Sequence, residues 1–307
     1  VQRPVPVKNT GREETVSLQE NLQENDPLQE EMQIETEKEE KEEKEDSPES
    51  AAKEQTAVSE EELDLEDDIE NGYFHFLRPS DGLIAAFFVP VAVLIILFAQ
   101  RGIFPFGEEC FLRTDMYHQY APFFSEFQYK LKQGGSLLYS WDIGMGVNFS
   151  ALYAYYLASP VNWLIILCPK KFIIEFMTIL IMVKTGLCGV TFTWYLDHHF
   201  EKKHFVAGVF GIFYALSGYM AAYSWNIMWL DCIFLLPLIL YGLEQLVQEK
   251  KGLFYCVTLG LSILSNYYIS IMICIFMVMY VIVQVILYPP KKIKDLVATG
   301  VRFGFYS

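Results

Sequence analysis

Residues 82–100 read GLIAAFFVPVAVLIILFAQ, an uncharged run of about the length that a bilayer's hydrocarbon core demands, roughly 20 residues. Some 80 residues precede it and they are acidic, so it does not have the form of a cleaved signal peptide. The same texture recurs at residues 172–196, 205–223, 232–247, 253–265 and 269–288. The fifth run is short and needs flanking Gly252, Asn266 and Tyr267 to reach across. A soluble helix keeps an apolar stripe and rarely stays apolar on all faces for this long. The runs therefore predict an all-α polytopic membrane protein of six transmembrane helices over residues 73–307.

Upstream the composition is opposite. Residues 1–70 hold 25 Asp and Glu against 7 Lys and Arg, with almost no aromatic residue. Such a segment cannot bury enough apolar surface to offset its ordering entropy, so residues 1–72 are expected to be a disordered acidic tail. Within it, residues 35–49 could form a transient Glu/Lys-paired helix or serve as an acidic docking arm. The remainder carries 13 acidic and 16 basic residues, so the acidic pI describes the tail alone.

Basic residues set an expected orientation. Lys202 and Lys203 follow the second run, Lys250 and Lys251 the fourth, and Lys291, Lys292 and Lys294 the sixth, which puts all three loops on one side. The positive-inside tendency makes that side cytoplasmic, in agreement with Arg78 before the first run. Lys170 and Lys171 dissent. Residues 151–168 (ALYAYYLASPVNWLIILC) carry Ser159-Pro160 and Asn162 at their middle, groups that lipid would leave unsatisfied. They read as a re-entrant or interfacial piece of a long outer loop, 101–171, and a loop of that length is usually functional.

The outer face then gathers Asp115, His118 and Gln119, with Tyr120 beside them, from the start of this loop, and Trp141, Asp142 and Asn148 from its middle. The next turn, 224–231, adds Asn226, Trp229 and Asp231, and the last adds Asn266, Tyr267 and Tyr268. A carboxylate there could take a proton from an attacking hydroxyl, while amides and aromatic faces suit hydroxyl-rich sugar rings. Caps, turns and an interfacial aromatic belt are the competing explanation for each residue alone. Lys184 stands twelve residues into the second run, where an ionisable group is a candidate phosphate or donor-path contact by default. Snorkelling or pairing with Glu175 competes, and Arg101 and Arg113 are rivals. Asp115 and His118, three residues apart, permit a two-ligand divalent-cation site, although a capping Asp beside an interfacial His explains them equally simply. The six cysteines show no ligand spacing, and Cys110 and Cys168 fall in the same loop, where they could pair. Neither a nucleotide-binding loop nor a basic nucleic-acid stripe is present in the sequence.

Four stretches in order, RTDMYHQYAPFF (113–124), LLYSWDIGMGVNFSALYAYYLASPVNWL (137–164), YALSGYMAAYSWNIMWLDCIFLLPLILYGLEQL (214–246) and LSNYYISIMICIF (264–276), resemble the YfhO-like bacterial membrane protein family. That family looks like a branch of the GT-C glycosyltransferases, which use polyprenyl-phosphate sugars outside the membrane and divide on metal use. The resemblance implies a GT-C-like bundle in which Asp115 is the first-loop catalytic base or site organiser. It implies transfer of a sugar from a polyprenyl-phosphate-linked donor to a cell-surface polymer such as a teichoic acid. Asp115 would accept the attacking hydroxyl's proton while a cation holds the phosphate. Family members continue through further helices, whereas this chain ends at Ser307 and begins without Met, so a fragment of a longer protein is expected. A transporter or flippase of lipid-linked saccharides is the runner-up, and a non-catalytic cell-envelope assembly protein the third reading.

Overall fold

The computed structural model describes residues 79–307 except 113, 202–204 and 291. The acidic tail, Arg78, Arg113, Lys202, Lys203 and Lys291 lie outside the described residues. The elements in order are α1 (Pro79–Gln100), α2 (Ala121–Gln133), β1 (Tyr139–Ser140), β2 (Val147–Asn148) and α3 (Phe149–Leu152). They continue through α4 (Ile173–His199), α5 (Phe205–Ala215), α6 (Gly218–Tyr223), α7 (Ile227–Gln248), α8 (Leu253–Ser265), α9 (Tyr267–Leu287) and α10 (Ile293–Tyr306). Among the described residues strand is confined to the β1–β2 pair, and the protein is an all-α polytopic membrane protein.

Among the described residues five helical stretches are long and apolar enough to cross a membrane: Ser80–Gln100, Lys170–His199, Phe205–Tyr223, Ile227–Gln248 and Tyr267–Leu287. More than half of the apolar stretch is buried in Lys170–His199 and Ile227–Gln248, against 22% in the other three. So α4 and α7 form the centre, and the rest face lipid. Leu253–Ser265, expected as the fifth of six spans, is a shorter apolar helix of 13 residues and is not among these five. The third span departs from expectation: it breaks between α5 and α6 at Leu216 and Ser217. The fourth begins at Ile227 and not at 232, and the sixth at Tyr267 and not at 269.

Spans in lipid gain little from burying apolar area against one another, so close approach of small residues has to supply contact. A Cβ at Gly189 would collide with the Ala86 carbonyl, and one at Gly208 with the backbone of Gly82. These glycines let α1, α4 and α5 pack backbone to backbone.

The same contacts fix where the long loop returns. Ala86, in the first half of α1, lies against Gly189, in the second half of α4. Phe104, just past α1, packs on Phe172, just before α4, with ring centroids 6.1 Å apart. The two helices are therefore antiparallel, and residues 101–172 leave and return at one end of the bundle, the loop end. Residues 151–168 do not cross. A helical stretch, Phe149–Leu157, bends by 104° into Pro160–Leu167. Pro160 explains the break, because it disfavours helical backbone at the residue before it, and Ser159 is accordingly extended at ψ 128°.

Helix α2 holds this loop together. Pro122 lies in its first turn, and Gly134 ends it at φ 66°, donating its N–H to the Lys130 carbonyl. Gln128 Nε2 donates to the carbonyls of Ile165 and Cys168 at 2.9 and 2.7 Å. On the same helix, Lys130 Nζ reaches the Tyr139 carbonyl and Glu126 accepts from Ser140, which docks the β1–β2 hairpin. Beneath them Phe124, Phe127, Phe149, Leu157 and Ile165 are fully buried. Each contributes about 1.5–3 kcal/mol relative to exposure.

Candidate functional site

Thr114 turns the chain at φ 41° into one wide helical turn, Met116–Tyr120, that runs directly into α2. Met116 and Tyr120 point into the core, while Asp115, Tyr117 and His118 stay exposed. Asp115 is exposed and makes no capping bond with its side chain. It is near enough to Tyr120 and Tyr156 to act on both phenols electrostatically. Burial, followed by the neighbouring Tyr156, pushes the Tyr120 phenol well above its ordinary range, so it remains a donor.

Behind Asp115 lies a wall of aromatic and amide groups. Tyr120 O–H is 3.5 Å from Asn226 Oδ1, and Tyr156 O–H donates to Gln119 Oε1 at 2.9 Å. The Tyr120 and Tyr156 rings meet edge to face at 5.6 Å. Tyr155 packs on Tyr156 and on Tyr267, and its carbonyl accepts from Asn266 Nδ2 at 3.2 Å. In the first turn of α7, Asn226 Nδ2 and Trp229 Nε1 are buried without a protein acceptor. Such donors are costly unless water or a ligand accepts from them.

The structure thus brings Asp115, Gln119, Tyr120, Asn226, Trp229, Asn266 and Tyr267 into one region. His118 stands at its edge, exposed against Tyr117. Trp141 and Asn148 sit apart on the β1–β2 hairpin. Trp141 is 76% exposed against Tyr139. Asn148 Oδ1 caps α3 by accepting from Ala151 N–H, and Asn266 Oδ1 does the same for Ile269 at α9.

Two expectations are corrected. Asp231 is not on a surface turn: it lies inside α7, 1% exposed, bonded to Lys184 at 2.5 Å and to Ser159 at 2.6 Å. Lys184, fully buried, pairs with that carboxylate and not with Glu175, and also donates to the Ile227 carbonyl at 3.2 Å. Charge neutralisation across the two helices is what allows both residues to sit at membrane depth. Cys110 and Cys168 are unpaired, the latter directing its thiol to the Pro169 and Phe172 carbonyls.

A cavity of about 290 Å³ opens between α1, α4 and the broken α5–α6 span. Leu94, Phe98, Ile181 and Met220 line it, with Arg101 among its lining residues at the loop end. Sequence reasoning missed Ser159, Tyr155 and Tyr156; the signal available was Ser-Pro inside an apolar aromatic run. It also missed another buried carboxylate on α7, Glu244, which accepts from Tyr195, Tyr280 and His199 at the far end of α4 and α7. Among the described residues no group of three or more potential metal ligands gathers.

No curated protein and no solved structure matches the chain significantly. A family model described as bacterial membrane protein YfhO matches residues 85–307. That match spans well over half of the chain, taking in most of the first candidate span and all of the other four, so the chain belongs to the bacterial membrane protein YfhO family.

Proposed function

We propose that this protein is a membrane glycosyltransferase of GT-C type, moving a sugar from a polyprenyl-phosphate-linked donor to a cell-surface polymer such as a teichoic acid. The observation that carries the reading is Asp115: an exposed, uncapped carboxylate held over an aromatic and amide wall at the loop end of a membrane bundle. Lys250, Lys251, Lys292 and Lys294 follow spans at the opposite end, which supports a cytoplasmic far end, a cytoplasmic tail and an extracellular loop end.

In this reaction the acceptor hydroxyl oxygen bonds to the anomeric carbon, the bond from that carbon to the phosphate oxygen breaks, and the hydroxyl proton passes to Asp115. Polyprenyl phosphate leaves with the electron pair. The cavity beside α1 suits an isoprenoid chain, and Arg101 suits its phosphate. Asn226, Trp229 and Gln119 offer polar contacts for sugar hydroxyls, with Tyr120, Tyr156 and Tyr267 as aromatic surface. A divalent cation at Asp115 and His118 would add charge at the phosphate; both side chains are exposed, but two ligands alone hold one weakly. Mass spectrometry of surface polymers tests the reading: cells carrying the wild-type chain add a hexose or N-acetylhexosamine that cells carrying Asp115→Asn at equal abundance lack. Equal decoration in both removes Asp115 as the base.

A transporter or flippase of lipid-linked saccharides is the second reading, favoured by the break between α5 and α6 on the wall of the cavity. There Arg101→Gln would stop lipid movement and Asp115→Asn would not.

A further inference from the structure

The buried pair Lys184–Asp231 takes no part in the chemistry just described, yet it connects to it. Asp231 uses one carboxylate oxygen for Lys184 and the other for Ser159. Ser159 stands at the 104° bend of the re-entrant segment. Three residues earlier in the same segment, Tyr156 donates to Gln119, and Gln119 lies four residues beyond Asp115 in one wide turn. A continuous path thus runs from α4 through α7 and the bend to the exposed carboxylate. A role for Lys184 as a phosphate contact would require it to leave Asp231, exposing a buried charge without a partner.

We propose that Lys184 and Asp231 are positioning residues: the pair fixes the depth of the bend through Ser159 and so keeps Tyr156 and Gln119 in register with Asp115. The bend has a second tether, because Asn266 holds the Tyr155 carbonyl at the α8–α9 junction. Loss of the Ser159 bond therefore loosens the segment without releasing it. Only the kinetic consequence rests on the glycosyltransferase reading.

Hydrogen–deuterium exchange of the full chain in lipid nanodiscs, without substrate, tests the geometry. In Ser159→Ala the amides of Phe149–Leu157 and Met116–Tyr120 are expected to exchange roughly tenfold faster, the upper scale of one lost hydrogen bond. Those of Ile227–Gln248 should not change, and Ser159→Thr should restore the wild-type rates. The double variant Lys184→Met/Asp231→Leu, which removes both charges together, should remain folded and loosen the same two segments. Wild-type exchange in both segments for Ser159→Ala and the double variant overturns the proposal. So does a double variant that binds polyprenyl phosphate more weakly with exchange unaltered, because Lys184 would then be a ligand contact. With a transferase assay, Ser159→Ala should lower kcat and leave KM for the lipid donor unchanged. An inactive wild-type protein with the expected exchange pattern would count against the proposed activity and not against this positioning role.

Discussion

Helix α7 buries two carboxylates, Asp231 and Glu244, thirteen residues apart and both reaching α4. At about 1.5 Å rise per residue they are roughly 20 Å apart along the axis. Their surroundings differ in kind. Asp231 meets an ammonium and a serine hydroxyl, and its serine leads into the loop that carries Asp115. Glu244 meets two phenols and the Nδ1 of His199, and these donors tie α4, α7 and α9 without reaching a loop. A carboxylate held by hydroxyl donors survives the loss of one. A carboxylate held by a buried cation does not, because either charge left alone is uncompensated in a medium of low dielectric. The loop-end network is thus intolerant and connected; the far-end network is tolerant and purely between spans.

The sharpest way to break this contrast is to remove one charge. Asp231→Leu alone, or Lys184→Met alone, should cost about 3–5 kcal/mol of stability, whereas the two together should be nearly neutral. Thermal unfolding in detergent reads both. If the singles and the double melt together, the pair is not buried as described.

Next in size is a change with no stability component. Asp115→Asn removes an exposed carboxylate with no capping bond, so melting should not move. Transfer should fall roughly 10²-fold for a lost general base. A melting point that drops with activity would make Asp115 structural and return the loop end to the status of the far end.

At the far end Glu244→Gln keeps the shape of the acceptor and loses the charge. It should cost about 1–3 kcal/mol through a weakened set of donor bonds, with transfer unchanged at matched abundance. Loss of activity in a stable Glu244→Gln protein would show that the far end is coupled to the reaction, and would dissolve the comparison.

What was legible in the sequence follows the range over which each signal acts. Residues 82–100 announce a span because every member of the run is apolar or neutral, and residues 253–265 end where Gly252 and Asn266 stand. Pro160 betrays the bend for the same local reason. Asp231 was misread because an aspartate after Asn226 and Trp229 looks like a turn; its neutralising partner is 47 residues away on another helix. Glu244 was passed over because its three donors come from two other helices. Asn148 and Asn266 show the converse: both offer polar side chains to the loop end, and both spend an oxygen on a cap. Local pattern finds the spans and the carboxylate that stays exposed. Only packing finds the carboxylates that do not.

The smallest effect belongs to the hairpin, which the sequence grouped with Asp115 and the structure sets apart. Trp141 is exposed and packs edge to face on Tyr139, so Trp141→Ala should move stability by less than about 0.5 kcal/mol. If the hairpin offers its indole to the acceptor polymer, KM for that polymer should rise by roughly threefold to tenfold, the scale of one lost aromatic stacking contact, with kcat unchanged. Steady-state kinetics with varied acceptor separates the cases. A fall in kcat as large as that of Asp115→Asn would bring the hairpin into the reacting centre. An unchanged KM would leave Trp141 outside the path of the acceptor and confine recognition to the wall behind Asp115.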